Sequence, residues 1–335
     1  MQDLAGRIHR IELPVPFPIR TANAYLIDEE PLTLVDTGVK TDQSFSVLVE
    51  SLARLGRNVG DIRRILITHG HIDHYGQAKR IASLSGAEIY MHSKAYERIR
   101  SMGRFQRNLV SVLHQNGTPK ESLDEAIGYM KSAVEALSDP PDKVCFIDDD
   151  GKIPFDKMTL KSIHCPGHSP GLVCFYMERG GALFCGDHLL NDISPNPIID
   201  LSRKDGGPQS TSLADYLRSV WKIADLRVTL VLPGHGEPFE DFRGAVEKAV
   251  RHHEERLSKV LSILSEGEKT AYEISKNLFP NTRSFDVFLG VSEILGHLRI
   301  LFDQGRVLSR SRQGIDYYRA VRDRDLPLGE KPVME

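Results

Sequence analysis

Three imidazoles and a carboxylate crowd into six residues, His69-Gly70-His71-Ile72-Asp73-His74, directly after Thr68. Imidazole and carboxylate are the donor set expected of zinc and similar first-row metals at catalytic centres. In an extended chain alternate side chains point the same way, so His69 and His71 can grip one ion from one side. Where the chain then bends, Asp73 and His74 can be aimed at a second ion beside it. The competing reading makes these residues a solvated helix start, with Asp73 as a cap. That account suits a single histidine; a cluster this dense is better explained by a shared ligand.

Such a loop needs a strand to enter it and a helix to leave it. Residues 63–67 form a short apolar run of the kind that makes a buried strand, and residues 75–84 have helical spacing until Ser85-Gly86 stops it. The same form, a strand ending in a small turn that carries a donor, recurs three times. Residues 158–164 lead to Cys165-Pro166-Gly167-His168, residues 182–185 to Gly186-Asp187, and residues 228–232 to Pro233-Gly234-His235. Glycine beside each donor allows a tight backbone and a close approach to an ion. Each turn alone is a weak signal, since Gly-Asp after a strand is commonly just a turn. Their order behind the first cluster is the strong one.

In that order the sequence resembles the metallo-β-lactamase superfamily of hydrolases. The Thr-His-x-His-x-Asp-His element at 68–74 is followed by His168, Asp187 and His235, and it is preceded by Asn23-Ala24-Tyr25-Leu26-Ile27 and Leu32-Thr33-Leu34-Val35-Asp36-Thr37-Gly38, which look like the family's opening hairpin. The resemblance covers residues 7 to 250. It implies that His69, His71 and His168 bind one metal, that Asp73, His74 and His235 bind the other, and that Asp187 bridges them. The implied fold is a mixed α/β (α+β) one, a four-layer αβ/βα sandwich of two sheets packed face to face with helices outside. The implied cofactors are two divalent ions, with zinc expected and iron or manganese as alternatives. Two such ions about 3.5–4 Å apart depress the pKa of a shared water and so supply hydroxide at ordinary pH. Asp73 and Asp187 are the catalytic candidates, Asp73 as a ligand that also helps with protons. Asp36 is expected to fix a ligand histidine or its loop from outside. His92, His164, His188, His252 and His253 are left off the ligand set as core, surface or helix-face residues.

Composition bounds the rest. The chain has 335 residues, with 43 Lys plus Arg against 46 Asp plus Glu, a net charge of −3 that argues against broad polyanion binding. Its length exceeds the roughly 250–300 residues at which single cores stop growing, so two domains are expected. No apolar run approaches the roughly 18 residues of a membrane span, and the start lacks a secretory signal, so a cytoplasmic protein is expected, with no membrane partner. Cys145, Cys165, Cys174 and Cys185 form no CxxC pair and read as small buried hydrophobes.

The domains are expected at 1–250, a hydrolase with a helical insertion at about 94–145, and at 251–335. The insertion carries two amphipathic helical stretches, 105–113 and 122–130, and enters near the first metal loop, where it is placed to cover the site. Arg98, Arg100, Arg104 and Arg107 on it are candidates to meet an anionic substrate group or form a solvated face. A second candidate wall is 191–197. In the tail, a long helical stretch from 239, a capping-box pattern at Thr270 and Glu273, a helix at 287–299 and strands at 306–310 and 315–319 resemble the winged-helix domain that follows some hydrolases of this family. Winged helices often read DNA, but 251–335 holds 14 Lys plus Arg against 13 Asp plus Glu, which does not favour a DNA partner. Packing on the core or a homodimer contact is the expected role.

The leading functional expectation is hydrolysis of a small-molecule ester or thioester, similar to the glyoxalase-II-like branch. Gly70 stands where that branch commonly has another histidine, and the tail differs from its helical substrate domain, so other acyl thioesters and lactones are equally open. A single-strand endoribonuclease is the alternative, with RNA as partner. A non-catalytic metal-binding interaction protein is the remaining class.

Overall fold

Residues 21–27 show why the central strands form as they do. Strand β1 (Ile8–Pro14) pairs antiparallel with β2 (Thr21–Ile27), from Ile8 opposite Ile27 to Pro14 opposite Thr21. Along β2 successive side chains point to opposite faces. Ala24 and Leu26 join one apolar cluster, while Tyr25 and Ile27 join another. The same division splits β3 (Thr33–Val35) and β4 (Arg64–Leu66): Leu34 and Ile65 face one way, Val35 and Leu66 the other. A sheet covered on both faces needs such unbroken apolar runs.

The structure is a computed structural model that describes residues 7–199, 212–282 and 285–322. The chain divides into two compact units. One comprises Met1–Arg104, Met130–Asn196 and Asp215–Val250; the other comprises Phe105–Tyr129, Pro197–Ala214 and Arg251–Glu335.

The first unit holds two sheets. One runs β1-β2-β3-β4-β5-β6, with β5 at Glu88–His92 and β6 at Cys145–Ile147, and is parallel from β3 onward. The other runs β11-β10-β9-β8-β7, with β7 Lys152–Pro154, β8 Thr159–His164, β9 Val173–Met177, β10 Ala182–Gly186 and β11 Leu230–Pro233. Between them lies the cluster in which Tyr25, Ile27 and Leu66 of the first sheet meet Phe175, Phe184 and Leu232 of the second. Helices α1 (Asp42–Arg54), α2 (Ile72–Tyr75) and α3 (Ala78–Ser85) follow the first strands, and Leu48, Leu52 and Ile81 pack on the first sheet's outer face. Helices α4 (Ser93–Arg100), α5 (Met102–Gln115) and α6 (Lys120–Leu137) come next, and α7 (Ser212–Ile223) supplies Tyr216 and Ser219 to the second sheet's outer side, where they bond His188 O and Pro166 O. The result is the expected order of helix, sheet, sheet, helix.

One local expectation changes. Residues 75–84 do not form one helix: the chain breaks between α2 and α3 at Gly76-Gln77, where the buried Gln77 amide donates to Thr37 O at 2.6 Å. The break lets Gln77 Nε2 reach this carbonyl and, at 3.3 Å, Ser44 Oγ, two buried acceptors off the helix. Of the four cysteines, all free, Cys165, Cys174 and Cys185 are buried, whereas Cys145 is only partly so.

The second unit takes in, besides the tail, the middle of the insertion. Its long helix α8 (Phe242–Ser265) enters from the first unit and is followed by α9 (Ala271–Leu278), α10 (Phe285–Asp303) and the hairpin β12–β13 (Val307–Arg312, Ile315–Ala320). Thr270 and Glu273 cap α9 reciprocally, at 3.2 and 2.7 Å, as the sequence pattern predicts. The turn after α5 is tied to this tail: Tyr318 Oη donates to Asn116 Oδ1 at 2.7 Å and the Tyr272 amide to Asn116 O at 3.1 Å. Gly117, at φ +87°, packs so closely that a Cβ there would lie 2.6 Å from Thr270 Oγ1. Among the described residues no helix is long and apolar enough to cross a membrane.

Candidate metal centre

The donors sit on the loops, and on one helical turn, that follow strands. His69 and His71 follow β4; Asp73 and His74 lie on the first turn of α2. His168 follows β8, Asp187 follows β10 and His235 follows β11. The structure brings all seven sequence-predicted residues together, in two groups that could hold metal ions: His69, His71, His168 and Asp187, and Asp73, His74 and His235. His71 Nδ1 lies 2.9 Å from both His69 Nε2 and His168 Nε2. Asp187 reaches both groups, with one carboxylate oxygen 3.4 Å from His168 Nε2 and from His235 Nε2, and the other 3.5 Å from His74 Nε2. Donors each about 2.1 Å from a tetrahedral ion stand about 3.4 Å apart, so the spacings around Asp187 fit, while the two at His71 are shorter.

The outer nitrogen of four of the five rings has an acceptor. His69 Nδ1 faces Thr68 Oγ1 at 3.1 Å, His74 Nδ1 faces Asp36 Oδ2 at 2.8 Å, His168 Nδ1 faces Asn196 O at 2.9 Å and His235 Nδ1 faces Thr21 O at 2.7 Å. A proton held at Nδ1 leaves Nε2 as a lone pair aimed inward, the tautomer a metal requires. Two inward atoms, His74 Nε2 and Asp187 Oδ1, are buried with no hydrogen-bond partner. Such atoms are costly to bury unless an ion satisfies them.

At the first group electrostatics agrees with this donor chemistry. Burial pushes His71 down to about 3 and also lowers His69 and His168, so these rings stay neutral donors. At the second group burial also opposes charge, but Asp187 and Asp73 overcome it and raise His235 to about 10, while Asp187, Asp36 and Asp73 raise His74. Asp73 is held down to about 2 against burial by His74 and His235. The carboxylates thus set up a field that favours positive charge at the centre.

Asp36 is where the sequence reading puts it. At φ +56° it is in the left-handed region, and its carboxylate accepts from the Thr68 amide at 2.8 Å, from Thr68 Oγ1 at 2.7 Å and from His74 Nδ1. Thr68 supports His69 from inside the motif, a role that its place in the sequence does not signal. The sequence reading misses Asn23 and Tyr25, which bond the His235 turn and carry no spacing signal.

Of the histidines left off the ligand set, His92 and His164 form a third His and Asp group with Asp149. Their rings stack at 4.1 Å and 11°, and one oxygen of Asp149 lies 3.1 Å from His92 Nε2 and 3.5 Å from His164 Nδ1. His92 Nδ1 accepts the Lys94 amide at 3.1 Å, which leaves Nε2 to donate to Asp149 at 3.1 Å. His188 is fully buried with its ring edge against Tyr216.

Gly234 offers a test that changes no donor. A Cβ there would lie 2.3 Å from Asp187 Oδ1 and 2.7 Å from His74 Cε1. Gly234→Ala is therefore expected to lower bound metal by about half or more, read by elemental analysis. Unchanged content with unchanged affinity would refute this packing.

Residues 18–235 match the family profile described as the metallo-beta-lactamase superfamily. "Probable metallo-hydrolase YqjP" of Bacillus subtilis (strain 168) is 28% identical over 320 residues, covering 93% of this chain and 97% of that protein. "Beta-lactamase-like protein 2 homolog" of Caenorhabditis elegans is 24% identical over 275 residues, covering 80% of this chain and 74% of that protein. Among solved structures, a metallo-beta-lactamase family protein from Thermus thermophilus superposes with a TM-score of 0.81 at 29% identity, covering 94% of this chain and 99% of that one. A beta-lactamase domain protein from Burkholderia ambifaria gives 0.80 at 24%, covering 94% and 92%, a likeness of fold.

Proposed function

The chain belongs to the metallo-beta-lactamase superfamily, and from that premise we propose that this metallo-hydrolase cleaves a small-molecule ester or thioester at a two-metal centre. The observation that carries the reading is the pair of donor groups sharing Asp187. His69, His71 and His168 would hold one ion, Asp73, His74 and His235 the other, and Asp187 both. Two bound divalent ions supply an activated water at neutral pH and polarise the oxygen under attack. Zinc is the proposed metal because the set is rich in imidazole; iron and manganese accept the same donors.

The protein's own part is to fix and charge the donors. Thr68, Asp36, Asn196 O and Thr21 O hold the ring protons at Nδ1. Asp73 stays ionised, and its carboxylate, 3.4 Å from His235 Nε2, is the group proposed to take up a proton transiently during turnover.

Charge supports an acyl substrate over a nucleic acid. The chain is near neutral, and in the second unit Glu268 pairs with both Arg310, at 3.2 Å, and Arg312. One of the two arginine charges on the hairpin is thereby compensated within its own unit, which lowers the positive charge left for phosphate binding. The order helix, helix, hairpin, with a bridge from Lys269 to Tyr318, supports a winged-helix-like unit that serves packing or dimer contact.

The test is a screen of the metal-loaded protein against acyl thioesters, lactones, phosphodiesters and single-stranded RNA, with Asp187→Ala as blank. Turnover of a thioester, lactone or other ester is expected. Turnover of RNA alone would replace the reading by the endoribonuclease one, and no turnover of any class by a fully loaded protein would favour a binding role.

A further inference from the structure

Strand β2 grips the His235 turn through residues near its start. The two amide hydrogens of Asn23 Nδ2 donate to Pro233 O at 2.9 Å and to Gly236 O at 2.7 Å, one on each side of His235. The Asn23 main-chain amide donates to Gly234 O at 2.7 Å. Tyr25 Oη donates to Pro233 O at 2.7 Å, and His235 Nδ1 donates to Thr21 O at 2.7 Å. Asn23 and Tyr25 are each only 2% exposed. Burying an amide without partners is unfavourable, and both of these Asn23 bonds go to carbonyls that flank a single proposed ligand.

The other supports act differently. His168 is steadied at its ring by Asn196 O, and His74 at its ring by Asp36 and at its own carbonyl by Thr37, whose amide and Oγ1 donate at 2.7 and 2.8 Å. His235 has such a bond too, but in addition its backbone is held before and after the ligand. Further anchors of the turn are the Gly234 amide bond to Gly186 O at 2.7 Å and a longer Arg10 contact to Gly236 O at 3.2 Å. The amide can satisfy both flanking carbonyls only with its nitrogen turned toward them, which fixes its orientation.

We propose that Asn23, assisted by Tyr25, is a positioning residue that sets the affinity of the second metal, held by Asp73, His74 and His235, without touching it. The proposal rests on the two-metal reading above. Releasing the turn lets His235 Nε2 drift from Asp73 and Asp187, while His69 and His168 keep the bonds to their own rings. The effect is therefore selective for one ion of the two.

The experiment is a calorimetric titration of the full-length, chelator-treated protein with Zn2+ alone, comparing wild type, Asn23→Ala and Tyr25→Phe. Wild type is expected to bind two ions. Asn23→Ala should weaken the second by about 10- to 100-fold, the usual consequence of losing a support to a metal ligand, and leave the first unchanged. Tyr25→Phe keeps the ring in the core and removes one donor, so it should weaken the second ion about fivefold and leave the first unchanged. This milder variant decides the matter if Asn23→Ala does not fold. Equal weakening of both ions in Tyr25→Phe, or no change in either variant, overturns the clamp and leaves the two-metal reading standing. Wild type binding fewer than two ions overturns that reading and the proposal with it.

Discussion

Asp187→Ala is expected to abolish nearly all turnover of the proposed ester or thioester substrate, by at least about a thousandfold in kcat/KM, equivalent to about 4 kcal/mol of transition-state stabilisation. The magnitude follows from position. Losing a group that merely supports a metal ligand typically lowers affinity or activity about 10- to 100-fold. Asp187 instead faces donors of both groups, 3.4 Å from His168 and His235 and 3.5 Å from His74. Its charge also leads the carboxylate contributions that raise His74 and His235. Removing it weakens the attraction for both ions at once, so metal content should fall together with rate. The fold should survive, because Asp187 lies just beyond β10 and the neighbouring apolar cluster does not depend on it. Asp187→Asn, which keeps a donor oxygen but loses the charge, should fall between the two. Full occupancy by two ions with turnover within tenfold of wild type would remove Asp187 from the bridging role.

What the sequence revealed about this centre depended on how local each signal was. His69, His71, Asp73 and His74 lie within six residues, so the alternation of an extended chain and the bend into α2 were enough to suggest two ions. His168, Asp187 and His235 are separated by tens of residues, and only their order along the chain, compared with a known family, connected them. The supports of His235 left no trace of that kind. Asn23 acts on Pro233 and Gly236 through their carbonyl oxygens, which every residue type possesses, across more than 200 positions. The attachment of the insertion was hidden for the same reason. Amphipathic spacing predicted α5 and α6, but the partners of Asn116 and Gly117 are Tyr318, Tyr272 and Thr270. Periodicity shows that a helix has an apolar face without showing what covers it.

Acidification should destabilise the second unit through two buried histidines that the metal chemistry does not use. His253 on α8 and His297 on α10 are 1% and 0% exposed. His297 Nδ1 donates to Glu293 O at 2.7 Å, so its Nε2 is the acceptor for His253 Nδ1 at 3.2 Å. Protonating His297 would set two donors face to face inside a core that already holds Arg256, whose Nε lies 3.3 Å from Glu293. Burial first, then His297, His252 and Arg256, push His253 down to about 2. Burial, followed by Arg256 and His252, pushes His297 down to about 3 against the bond to Glu293. An unfolded chain protonates both near the ordinary imidazole value of about 6.5. Below that pH the unfolded state binds more protons than the folded one, so stability falls as pH falls, from about 6.5 toward 3, and is level above about 7. Two groups contribute about 4 kcal/mol between pH 7 and pH 5, a large share of the roughly 5–15 kcal/mol that holds a typical domain. Urea unfolding at pH 7, 6 and 5 should show that decline. A His253→Leu, His297→Leu double variant should decline less steeply, by about two protons, because the remaining histidines contribute equally to both proteins. Identical pH slopes for the two would show that the pair is charged in the folded state.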